Sequence, residues 1–331
     1  MFIIENYFLA VVFTIITMLC WGSWANTQKL TSKDWRFETF YWDYVFGIVI
    51  MSLIFAFTLG SFGNGGRSFT EDYQQADSQN IQSALIGGVI FNAANILLVS
   101  AITIAGMSVA FPVGIGLALV IGVIVNYLDN PVGDKILLFL GVGLIALAIL
   151  LNANAYRKMA IGKSSVSTKG LILSVAAGIL MGYFYKYVAT SMFPDFKVPM
   201  AGKLSPYTAV VIFAIGILIS NFLFNTYLMF RPFEGKPVSY GDYFKGSSKN
   251  HLMGILGGMI WCIGMSFNII ASGKAGAAIS YGLGQGATIV AAIWGIYIWK
   301  EFKDAPKGTS TILNMMLGCY IVGLGLIIAA R

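Results

Sequence analysis

Ten apolar runs, each long enough to cross a lipid bilayer, follow one another along this sequence of 331 residues. A spanning helix needs about 20 predominantly apolar residues, because the hydrocarbon core of a bilayer is about 30 Å thick. The hydrophilic segments between the runs are too short to fold as separate domains. The sequence therefore predicts an all-α integral membrane protein whose ten transmembrane helices lie near residues 7–26, 39–62, 81–103, 106–127, 135–152, 168–190, 205–230, 252–272, 275–299 and 309–330.

The composition excludes the water-soluble classes of protein. Only 11% of the residues are charged and 57% are hydrophobic, whereas a soluble domain is about 25% charged. The net charge of +7 resides in joins without the interleaved aromatic residues of a nucleic-acid surface. Cys20, Cys262 and Cys319 lie in apolar runs without CxxC spacing, so neither a disulfide framework nor a metal site is predicted. No cofactor is predicted either.

Basic residues predict the orientation of the chain. Lys and Arg concentrate in the joins after the first, fifth, seventh and ninth runs, and such joins usually lie in the cytoplasm. Both termini are therefore predicted to lie outside. The first run lacks the basic leader and the small-residue cleavage site of a signal peptide, so it is predicted to remain as a helix.

An internal repeat is the most informative pattern. The stretch that begins at Gly87 aligns without a gap on the stretch that begins at Gly257. The third and fourth runs thus match the eighth and ninth, and a shift by five helices reverses the direction of crossing. We therefore predict two inverted five-helix repeats, 1–152 and 168–331, joined by a loop at 153–167. The shared residues include Ile90 with Ile260, Ala101 with Ala271, Ala105-Gly106 with Ala275-Gly276, Gly114 with Gly284 and Gly116 with Gly286.

Glycine and proline in the fourth and ninth runs suggest helix breaks. Proline removes a backbone donor, and glycine permits unwinding. Broken helices in transporters expose backbone groups to substrate, so these positions are predicted to act in gating. Close packing of helices along small residues is an alternative, and both interpretations stay open. The residues concerned are Pro112, Gly114, Gly116, Gly284 and Gly286.

Polar side chains inside the apolar runs predict a binding site. Asn92 and Asn95 share one face of the third run, and the matching eighth run carries Trp261 and Asn268. The ninth run adds Gln285. Amides donate and accept hydrogen bonds, as a neutral sugar, ureide or nucleobase requires. Hydrogen bonds between helices are the competing explanation for each amide.

Aromatic residues form two predicted groups. The first lies near the depth of the predicted site and comprises Trp21, Trp24, Tyr183 and Tyr187, of which Trp21, Trp24 and Tyr183 are predicted to contact a planar substrate. The second would form an interfacial belt, and it comprises Trp35, Tyr41 and Trp42.

Two ionisable residues fall inside the runs, where such residues are functional candidates. Asp43 is predicted to bind and release a coupling proton, and Lys186 to pair with Asp43 or with the substrate. The alternative for both is that the side chain extends to the membrane interface. His251, the one histidine, is predicted to be interfacial. No nucleophile with its base, metal cluster or phosphate loop occurs, so an enzyme is not predicted.

Two segments resemble a known family. The run CWGSWANTQKLTSKDWRFETFYWDY, residues 20–44, resembles bacterial relatives of the plant ureide permeases. Residues 87–128 are similar to the third and fourth helices of the same group. The group belongs to the drug/metabolite transporter (DMT) superfamily, near its glucose/ribose and rhamnose uptake members, and the resemblance covers essentially the whole chain.

The resemblance implies a DMT fold and secondary, proton-coupled uptake of ureides, nucleobases or sugars across the bacterial cytoplasmic membrane, by alternating access. The plant proteins carry a central loop like a nucleotide-binding segment, which 153–167 lacks, so no ATP link is inferred. An exporter of drugs or metabolites and a non-transporting membrane scaffold are the alternatives, and the oligomeric state stays open. The positions that match the family are Trp21, Gly22, Trp24, Asn26, Lys29, Asp43 and Asn92.

Overall fold

A computed structural model describes residues 1–63, 65–159 and 167–331. Within those ranges, ten helical segments are long and apolar enough to cross a membrane, which confirms the predicted all-α, ten-helix architecture. In chain order the α-helices are α1 Tyr7–Ser23, α2 Phe37–Phe57, α3 Phe69–Gln75, α4 Ser78–Ala105, α5 Met107–Asp129, α6 Lys135–Met159, α7 Thr168–Ser191, α8 Pro206–Phe230, α9 Tyr240–Phe244, α10 Ser248–Ala275, α11 Ala277–Gly284, α12 Ala287–Ile293 and α13 Thr309–Ala329. Helices α3 and α9 are short and lie between membrane helices.

Some predicted boundaries were wrong by several residues. The first membrane helix is α-helical only to Ser23 and continues as a 3₁₀ helix, Trp24–Leu30. The fifth extends to Met159, well beyond its predicted end at residue 152, so the predicted loop 153–167 begins inside a helix. Residues 160–166 of that loop lie outside the described residues.

The repeat predicted from sequence has a counterpart in the backbone. Helices α4 and α10 have 28 residues each, and the alignment of Gly87 with Gly257 also aligns their first and last residues. Each ends at a glycine that turns the chain into the next helix, Gly106 with φ 80° and ψ 161°, and Gly276 with φ 85° and ψ 153°. Glycine adopts such positive φ values without steric cost. The two copies thus share one helix-glycine-helix corner.

Four glycines bring helices of the two halves into backbone contact. A Cβ atom at any of them would overlap a carbonyl oxygen of the facing helix. Two of the contacts join α10 to α2 and the other two join α4 to α8, at equivalent positions of the repeat. The two halves are therefore in close backbone contact at two equivalent helix crossings, α2 with α10 and α4 with α8. The contacts are Gly258 with Tyr44, Gly47 with Ile255, Gly88 with Phe213 and Gly216 with Leu85.

Only one of the two predicted helix breaks is present. Helix α5 runs unbroken through Pro112, so the predicted break at Pro112, Gly114 and Gly116 is wrong. Pro112 lies in the second turn, where the loss of one backbone donor leaves the other hydrogen bonds of the helix intact. Gly114 instead lies where α5 packs closely on α7. A Cβ atom added at Gly178 of α7 would lie only 2.6 Å from the Gly114 carbonyl oxygen. In the second copy, Gln285 and Gly286 separate α11 from α12.

The bundle has two ends, which we name by their contents. The basic end holds the joins after the first, third, fifth, seventh and ninth membrane helices. The terminal end holds the other joins and both chain termini, where Tyr7 donates to the Ile328 carbonyl at 2.7 Å. Helices α1, α2 and α4 of the first half meet α10 and α8 of the second half between these ends.

We expect Gly258→Ala and Gly88→Ala to lower the free energy of unfolding by about 1–3 kcal/mol each, because the added methyl group forces two backbones apart. Gly143→Ala and Gly318→Ala are matched controls, since a Cβ at either position meets nothing within 4 Å. These controls should leave stability unchanged or raise it by about 0.5–1 kcal/mol. Thermal unfolding of the purified variants in one detergent measures the difference, and equal midpoints in all four would contradict the interlocked crossings.

Candidate functional site

An aromatic cluster occupies the middle of the bundle, where helices of both halves meet. The ring of Trp261 on α10 lies 4.5 Å from Phe91 on α4 and is stacked 5.9 Å from Trp21 on α1, between ring centroids. Trp24 and Tyr44 lie 4.5 Å apart beside them. With the neighbouring amides they form what we call the aromatic–amide cluster, comprising Trp21, Trp24, Tyr41, Tyr44, Phe91, Asn92, Asn95, Trp261 and Asn268.

The two amides predicted on one face of the third membrane helix share a tyrosine. The Tyr41 hydroxyl donates to Asn92 Oδ1 at 2.9 Å and accepts from Asn95 Nδ2 at 3.1 Å. Asn92 Nδ2 donates to Ser220 Oγ on α8 at 2.9 Å. Each of these side chains is buried. The two amides therefore hold α2, α4 and α8 together in this conformation. This is the alternative role, hydrogen bonding between helices, that was considered for each amide.

The predicted aromatic belt was wrong for two of its members. Tyr41 is fully buried, and Trp42 is 3% exposed with its Nε1 directed at Met229 Sδ. The reason is that α8 and α10 cover this part of α2, so its aromatic residues face protein instead of the membrane interface. Trp35 is partly buried against the ring of His251, at 5.2 Å between centroids.

Three buried polar atoms beside the stacked indoles have no hydrogen-bond partner among the described residues. They are the Tyr44 hydroxyl, Asn268 Oδ1 and Ser280 Oγ, all in fully buried residues. Asn268 Nδ2 donates to the Ser280 carbonyl at 2.8 Å. Asn268 and Trp21 both approach Gly284, since a Cβ atom added there would lie 2.8 Å from Asn268 Nδ2 and 2.9 Å from the Trp21 ring. An unpartnered buried polar atom costs about 1–3 kcal/mol. Tyr44 adjoins the Trp261 ring at 6.4 Å between centroids, and Asn268 adjoins the Trp21 ring, so each indole has an unpartnered polar atom near it.

The helix break at Gln285 and Gly286 lies next to these atoms. Gln285 is 8% exposed, and the break interrupts the helix one residue after Gly284. Gly22, on the facing surface of α1, packs on α12, where a Cβ would lie 2.5 Å from the Ala287 carbonyl. Gly284 and Gly286 therefore flank a helix break and are also closely packed, Gly284 against Trp21 and Gly286 against Leu324.

Two predicted substrate residues lie elsewhere. Tyr183 is 43% exposed and Tyr187 is 37% exposed, because α7 packs on α4 and α5 through its other faces. The structure thus does not bring Tyr183 to the cluster. Asn26 is at the basic end, where its Oδ1 accepts from Trp299 Nε1 at 2.6 Å.

Asp43 pairs with two residues of the second half. The carboxylate is 2% exposed, accepts from the Tyr243 hydroxyl at 2.7 Å and lies 2.9 Å from His251 Nδ1. Burial raises the pKa of Tyr243 above its ordinary range and the Asp43 carboxylate raises it further, so the phenol keeps its proton. His251 lies in the first turn of α10 at the basic end with its side chain 25% exposed, and its contact with Asp43 is one that the sequence did not predict. No sequence spacing links residues so far apart in the chain, so only the three-dimensional contact reveals this group.

The predicted pairing of Lys186 with Asp43 was also wrong. Lys186 Nζ lies 3.2 Å from Asp129 Oδ1, and both side chains are over a third exposed. Lys186 is near the end of α7 at the terminal end of the bundle, whereas Asp43 is in the second turn of α2 at the basic end. Opposite depths in the membrane keep these two charges apart.

A second cross-half link at the basic end involves Lys29. Its ammonium lies 2.9 Å from Glu301 Oε1, and the Tyr156 hydroxyl donates to Glu301 Oε2 at 2.6 Å. Burial opposes ionisation of Glu301, but the hydrogen bonds from Tyr156 and Lys29 outweigh it and hold the pKa of this carboxyl below its usual value. Sequence reasoning missed Tyr156 because it lies beyond the predicted end of its helix. Among the described residues, no group of three acidic, Cys or His side chains is arranged to hold a metal ion.

The model of the sugar transport protein family matches residues 12–330. The chain belongs to this family. Ureide permease 4 and Ureide permease 1 of Arabidopsis thaliana are each 22% identical to it, over 100% of this chain and 99% of theirs. Glucose uptake protein GlcU of Bacillus subtilis (strain 168) is 26% identical over 70% of this chain and 74% of its own. These relatives confirm the resemblance seen in the sequence.

The fold is also that of a solved crystal structure, with a TM-score of 0.62, 13% identity and 96% coverage of both chains. The protein is a transmembrane transporter of small polar metabolites and not an enzyme. The aromatic–amide cluster is its candidate substrate site.

We expect two neighbouring tyrosines to respond differently to loss of the hydroxyl. Tyr41→Phe leaves Asn92 Oδ1 and Asn95 Nδ2 unpartnered, so it should lower the free energy of unfolding by about 1–3 kcal/mol. Tyr44→Phe removes a hydroxyl that has no partner among the described residues, so stability should stay the same or rise. Thermal unfolding midpoints in one detergent provide the comparison, and equal losses in both variants would be incompatible with this network.

Proposed function

We propose that this protein imports a small neutral polar metabolite, a sugar, ureide or nucleobase, by proton-coupled alternating access across the bacterial cytoplasmic membrane. The observation that carries the proposal is the set of unpartnered polar atoms on Tyr44, Asn268 and Ser280 beside the indoles of Trp21 and Trp261. Hydroxyl and amide groups of a solute would satisfy these atoms, and a flat solute face would stack on the indoles.

The cluster favours a neutral solute. Its nine side chains are aromatic or amide, and an unpaired charge buried among them would lose its hydration without compensation. Ureides, nucleobases and sugars all combine a flat or apolar face with several hydrogen-bonding groups at the edge. The names of the relatives, ureide permeases and a glucose uptake protein, support the same solute class.

Contacts at both ends support alternating access by the halves 1–152 and 168–331. At the basic end, Lys29 with Glu301 and Asp43 with His251 join the first half to the second. At the terminal end, Arg67 donates to the Met200 and Lys203 carbonyls, and Asp72 accepts from the Ser205 amide at 2.7 Å. We propose that one set of contacts breaks while the other holds, so that the cluster opens to one side at a time. The basic end would face the cytoplasm.

Asp43 and His251 are the proposed coupling groups. Asp43 lies in the same turn of α2 as Tyr41 and Tyr44 of the cluster, so a movement of this turn would reach the cluster. Protonation of Asp43 would remove the negative charge that holds His251 and the Tyr243 hydroxyl, and would loosen α10 and α9 from α2 at the basic end. Binding of a proton and opening toward the cytoplasm are thereby linked.

The first test measures binding. We expect sugars or ureides to raise the thermal unfolding midpoint of the purified protein, because a ligand that binds the folded state stabilises it by mass action. Tyr44→Phe should weaken the apparent affinity about fivefold to tenfold through loss of one hydrogen bond. Tyr320→Phe, a buried tyrosine of α13 outside the cluster, serves as the control. Stabilisation by cationic drugs alone would overturn the proposal in favour of an exporter.

The second test addresses coupling in proteoliposomes. We expect Asp43→Asn to retain exchange of labelled solute but to lose accumulation driven by a pH gradient, because the amide cannot carry the proton. Asp129→Asn is the control, since it removes an exposed carboxylate of the Lys186 pair. If Asp43→Asn still concentrates solute with the wild-type dependence on pH, Asp43 is not the coupling group.

A further inference from the structure

Two buried amides on α8 have three unpartnered atoms between them. Asn221 and Asn225 are both fully buried. Neither Asn221 Oδ1 nor Asn221 Nδ2 has a hydrogen-bond partner among the described residues, and the same holds for Asn225 Oδ1. Asn225 Nδ2 alone is satisfied, donating to the Glu38 carbonyl at 2.8 Å. Each unpartnered atom destabilises the fold, so packing does not account for these side chains.

The other copy of the repeat builds the same helix crossing without amides. Gly47 and Gly216 are the equivalent glycines of the two crossings. Ser52 and Ala56 lie as far beyond Gly47 along α2 as the two amides lie beyond Gly216 along α8. The Ser52 hydroxyl is satisfied within its own helix by the Val49 carbonyl at 2.8 Å. The crossing itself therefore needs no amide at either position.

The two amides lie between the aromatic–amide cluster and a cavity. Ser220, next to Asn221, accepts from Asn92 of the cluster. One turn beyond Asn221 is Asn225, and Leu228 lines a cavity of about 200 Å³ at the basic end. Asn221, Asn225 and Leu228 share one face of α8, since they are spaced by four and three residues. Eight residues of helix, about 12 Å, separate Ser220 from Leu228.

The far end of this path is polar. The cavity is also lined by Arg36, Glu38, Ser100 and Gly235. The Arg36 guanidinium donates to both carboxylate oxygens of Glu38, at 2.6 and 3.2 Å, and its remaining donors reach the Glu234 and Lys236 carbonyls. A neutral polar solute leaving the cluster would thus move from amides to a mouth lined by charged side chains.

We propose that Asn221 and Asn225 form a second hydrogen-bonding station for the transported solute, on its path between the cluster and the basic end. The inference rests on the proposed function, because it concerns the same neutral polar solute. The station replaces water as a partner for the solute's hydroxyl or amide groups during the crossing. Its three free atoms match the donor and acceptor chemistry of the cluster.

The test uses Asn221→Leu, which keeps the branched shape and the number of heavy atoms of the side chain and removes both unpartnered atoms. We expect its unfolding midpoint to equal or exceed that of the wild type, while the rate of solute uptake into proteoliposomes falls about tenfold. The concentration of solute that gives half-maximal thermal stabilisation should not change, since the cluster is intact. Asn221→Ser, which keeps a donor and an acceptor, should recover most of the rate, and Ser52→Ala at the equivalent position of α2 should change nothing.

Four results would overturn the station. Wild-type uptake by Asn221→Leu would show that the solute does not need the amide. A large loss of stability or a failure to fold in Asn221→Leu would show that the amide is structural, as would an equal defect in Ser52→Ala. If the wild-type protein neither binds nor carries any sugar, ureide or nucleobase, the proposed function fails and the station with it. If the wild type transports and Asn221→Leu does so equally well, only the station fails.

Discussion

Inside a bilayer no water is available to a polar atom, so each one must find a partner within the protein or cost free energy. The interior of this transporter is organised around that constraint. Tyr41, Asn92 and Asn95 satisfy one another across three helices. Tyr44, Asn268 and Ser280 each keep a buried polar atom without a partner among the described residues. The contrast separates side chains that hold the bundle from those that are free to bind a solute, although both groups are amides and hydroxyls of the same kind.

Interlocking of the halves makes these sites possible. Glycines at the α2–α10 and α4–α8 crossings let backbones touch, and residues of α2, α4 and α10 thereby meet in one cluster. Because the crossings repeat at equivalent positions, the two halves contribute similar backbones to both ends of the bundle. Their side chains differ, however, as Asn221 and Ser52 demonstrate. The repeat thus supplies a symmetric frame, and the asymmetric polar residues set what each side does.

The sequence predicted the parts of this arrangement that are local or repeated. Apolar run length determined the ten helices, and the gapless internal alignment predicted the matched α4 and α10. The orientation of side chains around a helix was harder to predict, because a membrane helix is apolar on the faces toward lipid and toward protein alike. Tyr41 and Trp42 were therefore assigned to the interface, although α8 and α10 bury them. The partners of Asp43 come from distant segments, and no local pattern could identify them.

The two short helices differ in the residue that follows the capping box of each. Both α3 and α9 begin with a capping box, formed by Ser68 with Glu71 and by Ser239 with Asp242. At the terminal end, the residue after the capping acid is Asp72, a buried carboxylate fixed by Arg67 at 3.0 Å.

At the basic end the same position is Tyr243, which donates to Asp43 beside His251. Guanidinium keeps its charge at all physiological pH values, whereas imidazole changes charge near neutrality. The terminal-end link therefore pairs a carboxylate with a permanent cation, whereas the basic-end link places a carboxylate against an imidazole and a phenol. The proposed proton coupling needs such a difference between the two ends, and the two short helices supply it through one residue each and the partner which that residue contacts.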